Sequence, residues 1–150
     1  MRTQDGRVVE PRKTETPLMK ASMDMTDAIL KKVQNEKYFP RRSRWVITGK
    51  IADLANDYMT SINEANDPKV QTQGLRDRRF ELQQIAFGKL SALDVKLSQA
   101  VRVLNLNPDE LEYITGLVNR CKTLLQAWVN SDIKRYGSPS GLKNHIQGDG

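Results

Sequence analysis

AFGKLSALDVKLSQAVRVLNLNPDELEYITGLVNRCKTLLQAW, residues 86–128, holds the pattern from which the fold is read. Ala86, Leu90, Leu93, Leu97, Ala100 and Leu104 step by four, three, four, three and four residues. That spacing keeps an apolar stripe on one side of an α-helix, in a heptad-like seam. Leu111, Ile114, Val118, Cys121, Leu125 and Trp128 repeat the rhythm. Between the two stripes, Asn107 suits an N-cap and Pro108 the first helical position, while Glu110 can close a capping box onto the Asn107 N–H. So short a connection predicts that the two helices lie antiparallel.

Working outward, Met25, Ile29 and Val33 recur every fourth residue and predict a helix over residues 22–39, stopped by Pro40. Ile47, Ile51, Leu54, Tyr58 and Ile62, flanked by Ala55 and Met59, predict a second over residues 41–63. Gly49 lies inside it at a cost in propensity, which points to close packing of a neighbouring helix. Residues 66–74 form the longer connection to the third helix. The chain is therefore expected to be all-α, an antiparallel up-down four-helix bundle over residues 20–136. A flexible arm (1–19) precedes it, and a flexible glycine-bearing tail (137–150) follows.

The 150 residues are 38% hydrophobic and 28% charged, a composition that supports one domain with a core. Apolar runs such as Trp45-Val46-Ile47 are too short to cross a membrane, and the first twenty residues lack a signal-peptide pattern. Cys121, the single cysteine, cannot form an internal disulfide. Together these predict a cytoplasmic protein. Twenty-four Lys and Arg against eighteen Asp and Glu give a net charge of +6, which fits contact with phosphate backbones or an acidic partner, or simply solubility.

The catalytic inventory is thin. His145 is the only histidine and falls in the tail, so a di-iron site built from Glu-x-x-His pairs is excluded. Cys121 lies on the apolar seam without a histidine to act as base, so a buried small hydrophobe is the expected role. No phosphate-cradling glycine loop, zinc spacing or cofactor motif is present. A non-enzyme needing neither metal nor cofactor is expected.

Basic residues cluster instead. Arg41, Arg42 and Arg44 open the second helix, with Lys37 before and Lys50 after; Arg76, Arg78 and Arg79 open the third; Lys134 and Arg135 close the fourth. Positive charge at a helix N-terminus opposes the macrodipole, so a phosphate or acidic partner would account for it better than helix stability does. A solvated charged face is the plainer alternative. Trp45 and Trp128 both fall near apolar stripes and are expected in the core, or else as partly exposed anchors in an oligomer interface.

The segment Phe39-Pro40-Arg41-Arg42-Ser43-Arg44-Trp45-Val46-Ile47-Thr48-Gly49-Lys50-Ile51 resembles the signature of a superfamily of small bacterial four-helix bundles. One branch comprises proteins encoded in intervening sequences of large-subunit ribosomal RNA genes; the other is the accessory variability determinant (Avd) of diversity-generating retroelements. Leu124-Leu125-Gln126-Ala127-Trp128-Val129, followed by Lys134 and Arg135, looks more like the Avd branch. The likeness covers residues 25–136. It implies a non-catalytic homopentamer with a basic surface that binds the reverse transcriptase and, with it, the template RNA or an RNA/DNA hybrid. By position, Arg41, Arg44, Lys134 and Arg135 match basic sites of the pattern. Arg42-Ser43 departs from the acidic residues common in the ribosomal branch, and the N-terminal arm has no counterpart. The alternative function is an oligomeric scaffold or protein-interaction module that handles no nucleic acid.

Overall fold

A computed structural model describes residues 16–67 and 69–140. The described residues are helical with no strand, and four α-helices build them: α1 (Pro17–Val33), α2 (Gly49–Ala65), α3 (Gln73–Val103) and α4 (Glu112–Tyr136). None is long and apolar enough to cross a membrane.

α1 begins earlier than its periodicity predicts, inside the arm expected over residues 1–19. Thr16 supplies the reason, since its hydroxyl accepts the Met19 N–H at 3.2 Å and Pro17 occupies the first turn. Leu18 and Met19 are already buried there. The helix also stops at Val33, short of the expected Phe39. From there the chain turns on Asn35, whose carbonyl accepts the N–H groups of Tyr38 and Phe39.

Before α2 the chain winds first tightly and then loosely. A 3₁₀ turn (Arg41–Ser43) leads into a π-helical turn (Arg44–Thr48), closed by the Gly49 N–H donating to the Arg44 carbonyl. A Cβ on Gly49 would lie 2.9 Å from that carbonyl oxygen. The close approach expected at Gly49 is thus to the chain's own backbone, not to a neighbouring helix. Ser43 Oγ donates to the Pro40 carbonyl at 2.8 Å and lies 2.7 Å from Thr48 Oγ1, tying the two ends of the wide turn together.

Thr72 caps α3 by accepting the Leu75 N–H. At its far end Asn105 takes a left-handed conformation (φ 51°), and the Leu106 N–H reaches back to the Val101 carbonyl at 3.0 Å. This is a Schellman closure, with asparagine where glycine is more usual. Asn107 then accepts the Asp109 N–H and caps a 3₁₀ turn (Pro108–Leu111) that leads into α4. The expected capping box is not formed; the Glu110 carboxylate accepts a hydrogen bond from Lys32 Nζ at 2.9 Å, which links α1 to the start of α4.

The core is built from the predicted stripes. Met25 and Ile29, Ile51, Tyr58 and Ile62, Leu90, Leu93 and Leu97, and Val118, Cys121 and Leu125 are all buried. α2 packs most extensively on α3, and α1 lies against both α2 and α4. A polar contact between helices is enclosed: Tyr58 OH and Ser22 Oγ are 2.6 Å apart, with Cys121 Sγ at 3.8 Å from Ser22. α4 ends at Gly137, whose positive φ of 85° suits a residue without Cβ. Beyond it the described part of the expected tail docks: Pro139 is buried and the Ser140 N–H donates to Asp77 of α3 at 3.1 Å. Residues 1–15 and 141–150, the rest of the expected arm and tail, lie outside the described residues.

Candidate nucleic-acid interface

The 3₁₀ and π turns ahead of α2 set Arg41, Arg42 and Arg44 on a ledge, all three exposed. Among the described residues no carboxylate pairs with any of them: the ion pairs are formed by Lys20, Lys32, Arg78, Arg79, Lys89 and Lys122. Beside the ledge runs a groove of about 310 Å³. Its walls include Val33, Phe39 and Pro40, and Arg41 and Arg44 line it together with one acidic residue, Glu36. Lys50 is exposed on the first turn of α2, and Lys37 Nζ sits 5.4 Å from the centre of the Tyr38 ring.

Trp45 corrects an expectation. It is 86% exposed and its neighbour Val46 69%, whereas Ile47 is 2% exposed. Residues two apart on a helical turn face different sides, so once Ile47 enters the core Trp45 is turned to solvent. Counting back from Ile47 along the stripe contained this signal; the apolar run Trp45-Val46-Ile47 concealed it. Trp128, in contrast, is half-buried and packs against the core.

The second group of basic residues divides. Arg79 forks onto Asp132 with two hydrogen bonds of 2.9 Å, and its guanidinium stacks 4.7 Å from the centre of the Trp128 ring. Gln83 adds a third donor to Asp132 at 3.1 Å. Arg79 is therefore committed to joining α3 to α4, with one edge of its guanidinium taken by Asp132 and its side chain only 17% exposed. Arg78 reaches Glu81 at 3.1 Å and Glu64 at 3.8 Å from an exposed position, a weak arrangement. Arg76 donates to the Val70 carbonyl at 3.1 Å and lies over the Tyr136 ring at 5.6 Å, while its Nε is buried without a partner. Arg135 sits 5.9 Å from the same ring, next to exposed Lys134. The structure thus gathers Arg76 and Arg135 at Tyr136, with Lys134 exposed on the same last turn of α4.

It does not gather them with the ledge. Arg78 approaches Glu64 in the last turn of α2, whereas Arg44 precedes its first turn. The 17 residues of α2 separate the two zones by about 25 Å.

Other chemistry is sparse. His145 falls outside the described residues, and no group of three or more His, Cys, Asp or Glu able to hold a metal occurs among those described. Burial pushes the Cys121 thiol above its ordinary value, and burial likewise raises the Tyr58 phenol, so neither is primed to ionise. The chain matches no family model, no curated protein and no solved structure.

Proposed function

We propose that this chain is a non-catalytic accessory subunit that binds nucleic acid through the ledge of Arg41, Arg42 and Arg44. The observation that carries the reading is three exposed guanidinium groups within four residues, unpaired among the described residues, at the start of a helix. The helix dipole disfavours positive charge there, and an anionic backbone would relieve the mutual repulsion. Arg76, Lys134 and Arg135 form a second contact zone; Lys50 flanks the ledge and Arg78 the second zone. The resemblance to the accessory variability determinant supplies the setting: a cytoplasmic complex with a reverse transcriptase and its template RNA or RNA/DNA hybrid, supporting mutagenic cDNA synthesis.

An antiparallel up-down order of the helices belongs to the same proposal. The pairs Arg79–Asp132 and Asp94–Lys122 advance along α3 while retreating along α4, and Arg78–Glu64 and Lys89–Asp57 do the same for α3 and α2. This order puts the two basic zones at opposite ends of each copy.

The test is RNA affinity as a function of salt for the Arg41→Glu/Arg44→Glu double variant. Each lost phosphate contact lowers the slope of log affinity against log salt by about one. Weaker binding with a flatter slope is expected; an unchanged slope would remove the ledge from the interface. The second reading, an oligomeric scaffold, draws on exposed Val103 and Tyr113 (57% and 68%), which flank the α3–α4 connection. It requires that Tyr113→Glu reduce the mass measured by light scattering. A ring of five copies, as the resemblance implies, would carry five such ledges.

A further inference from the structure

We infer that Trp45 is a stacking platform for an unpaired base, so that the ledge selects single-stranded over duplex nucleic acid. The inference rests on the nucleic-acid reading above and adds to it the class of strand that is bound. Its starting point is a tryptophan 86% exposed, with exposed Val46 beside it at 69%. A bare indole surrendered to water is costly, at about 25 cal/mol for each Å² of apolar surface left uncovered, and this one is held out by a turn the sequence builds specifically. Gly49 admits the wide π turn, Ser43 and Thr48 tie its ends, and Ile47 anchors it in the core. The indole is therefore presented on a rigid element, which a mobile loop would not provide.

Its neighbours choose the occupant. Arg41 lies one turn before Trp45, Arg44 is adjacent, and Arg42 precedes Val46 by a turn. All three are exposed, and none has a carboxylate partner among the described residues. An apolar protein partner would have to bury these guanidinium groups or neutralise them; a nucleic-acid strand brings a phosphate on each side of every base. Base stacking on aromatic side chains combined with cationic contacts to the backbone is the general means of holding single strands. A duplex keeps its bases stacked on one another and offers the indole no open face. The groove of about 310 Å³ that Arg41 and Arg44 line, walled by Phe39 and Pro40, gives the strand's backbone a path past the two arginines that neighbour Trp45 in the chain. Glu36, its one acidic lining residue, disfavours a phosphate on that wall and so keeps the backbone on the arginine side.

The experiment uses the full chain and a fluorescein-labelled oligoribonucleotide of mixed sequence, single-stranded or annealed to its complement, with binding read by anisotropy. Trp45→Ala is expected to weaken single-strand binding by about tenfold, to leave duplex binding as it was and to keep the salt slope. Trp45→Phe should retain most of the affinity but abolish the quenching of tryptophan emission that the strand causes. Because Trp45 is outside the core, circular dichroism of both variants should match the parent. Equal single-strand affinity for Trp45→Ala, alongside a loss in Arg41→Glu/Arg44→Glu, overturns the stacking role and leaves the basic ledge standing. Absence of RNA binding by the unmodified chain even at low salt overturns both. Self-association lost in Trp45→Ala with RNA binding intact assigns the indole to a protein contact and likewise overturns the inference.

Discussion

At Gly49 the Arg44 carbonyl oxygen lies 2.9 Å from the position a Cβ would take, closer than such contacts are found. Replacing glycine by alanine in a helix ordinarily helps, because alanine has the highest helical propensity. Here the methyl group must push the π turn open, and overpacking of this kind costs about 1–3 kcal/mol. Gly88 and Gly116 provide the opposite case: both are exposed on α3 and α4, and a Cβ added to either would meet nothing within 4 Å. Gly88→Ala and Gly116→Ala should each stabilise by about 0.5–1 kcal/mol, while Gly49→Ala destabilises, all measured by urea unfolding. A stabilised Gly49→Ala would mean that the wide turn is not what the glycine serves. Since the same turn displays Trp45 and the arginines, Gly49→Ala should also weaken the proposed RNA binding without altering a residue of the ledge. Nothing in the spacing of apolar residues announces a π turn. Gly49 marks the place, yet a glycine in a helical pattern does not say whether the close approach is to a neighbouring helix or to its own backbone.

Between elements, an arginine that the sequence groups with a basic cluster turns out to be a brace. Arg79, Gln83, Asp132 and Trp128 join α3 to α4 with the arginine and aspartate side chains only 17% and 19% exposed. Arg79→Ala leaves Asp132 with Gln83 as its remaining partner, and loss of a charged hydrogen-bonded pair in such a place costs about 1.5–3 kcal/mol. The Arg79→Ala/Asp132→Ala double variant should recover part of that loss, because no charge is left unpaired. RNA affinity should change little, in contrast to Arg41→Glu/Arg44→Glu. The segment after α4 is held differently. The Ser140 N–H, followed by the Gln73 amide, keeps the Asp77 carboxyl below its ordinary value of 3.8. A carboxyl depressed in the folded state stabilises above its unfolded pKa and loses that contribution as pH falls through the folded one. The Ser140 amide resonance should therefore titrate with a midpoint below pH 3.8, and Asp77→Asn should abolish the transition. A midpoint above that value would mean that the contact does not hold the segment. Helix number, order and buried stripes were legible because apolar residues recur at helical spacing from Met25 to Leu125. Ends and cross-links were not: Thr16 caps the start of α1 through one side-chain bond, the left-handed turn at Asn105 lets the Leu106 N–H close α3, and Glu110 prefers Lys32 to the cap its spacing suggested.

For the molecule as a whole, the enclosed contact of Ser22, Tyr58 and Cys121 ties α1, α2 and α4 together at the centre of the core. Each of the three residues is 0% exposed. Were the bundle one cooperative unit, no smaller opening would bring the Cys121 sulfur to water, and the thiol would report global unfolding. Burial also raises its pKa, which depletes the reactive thiolate further while the chain is folded. Labelling of Cys121 by a thiol reagent at mildly alkaline pH should accordingly be slow in buffer. The logarithm of its rate should climb with urea at the slope given by equilibrium unfolding, provided closing outruns labelling. Arg79→Ala should accelerate labelling by the factor its stability loss predicts, since a brace between α3 and α4 then opens the same core. A rate independent of urea would show instead that α4 lifts locally from α1. In that case the two basic zones, one ahead of α2 and one at the end of α4, would move independently, and a strand of RNA could not use them as a single rigid surface.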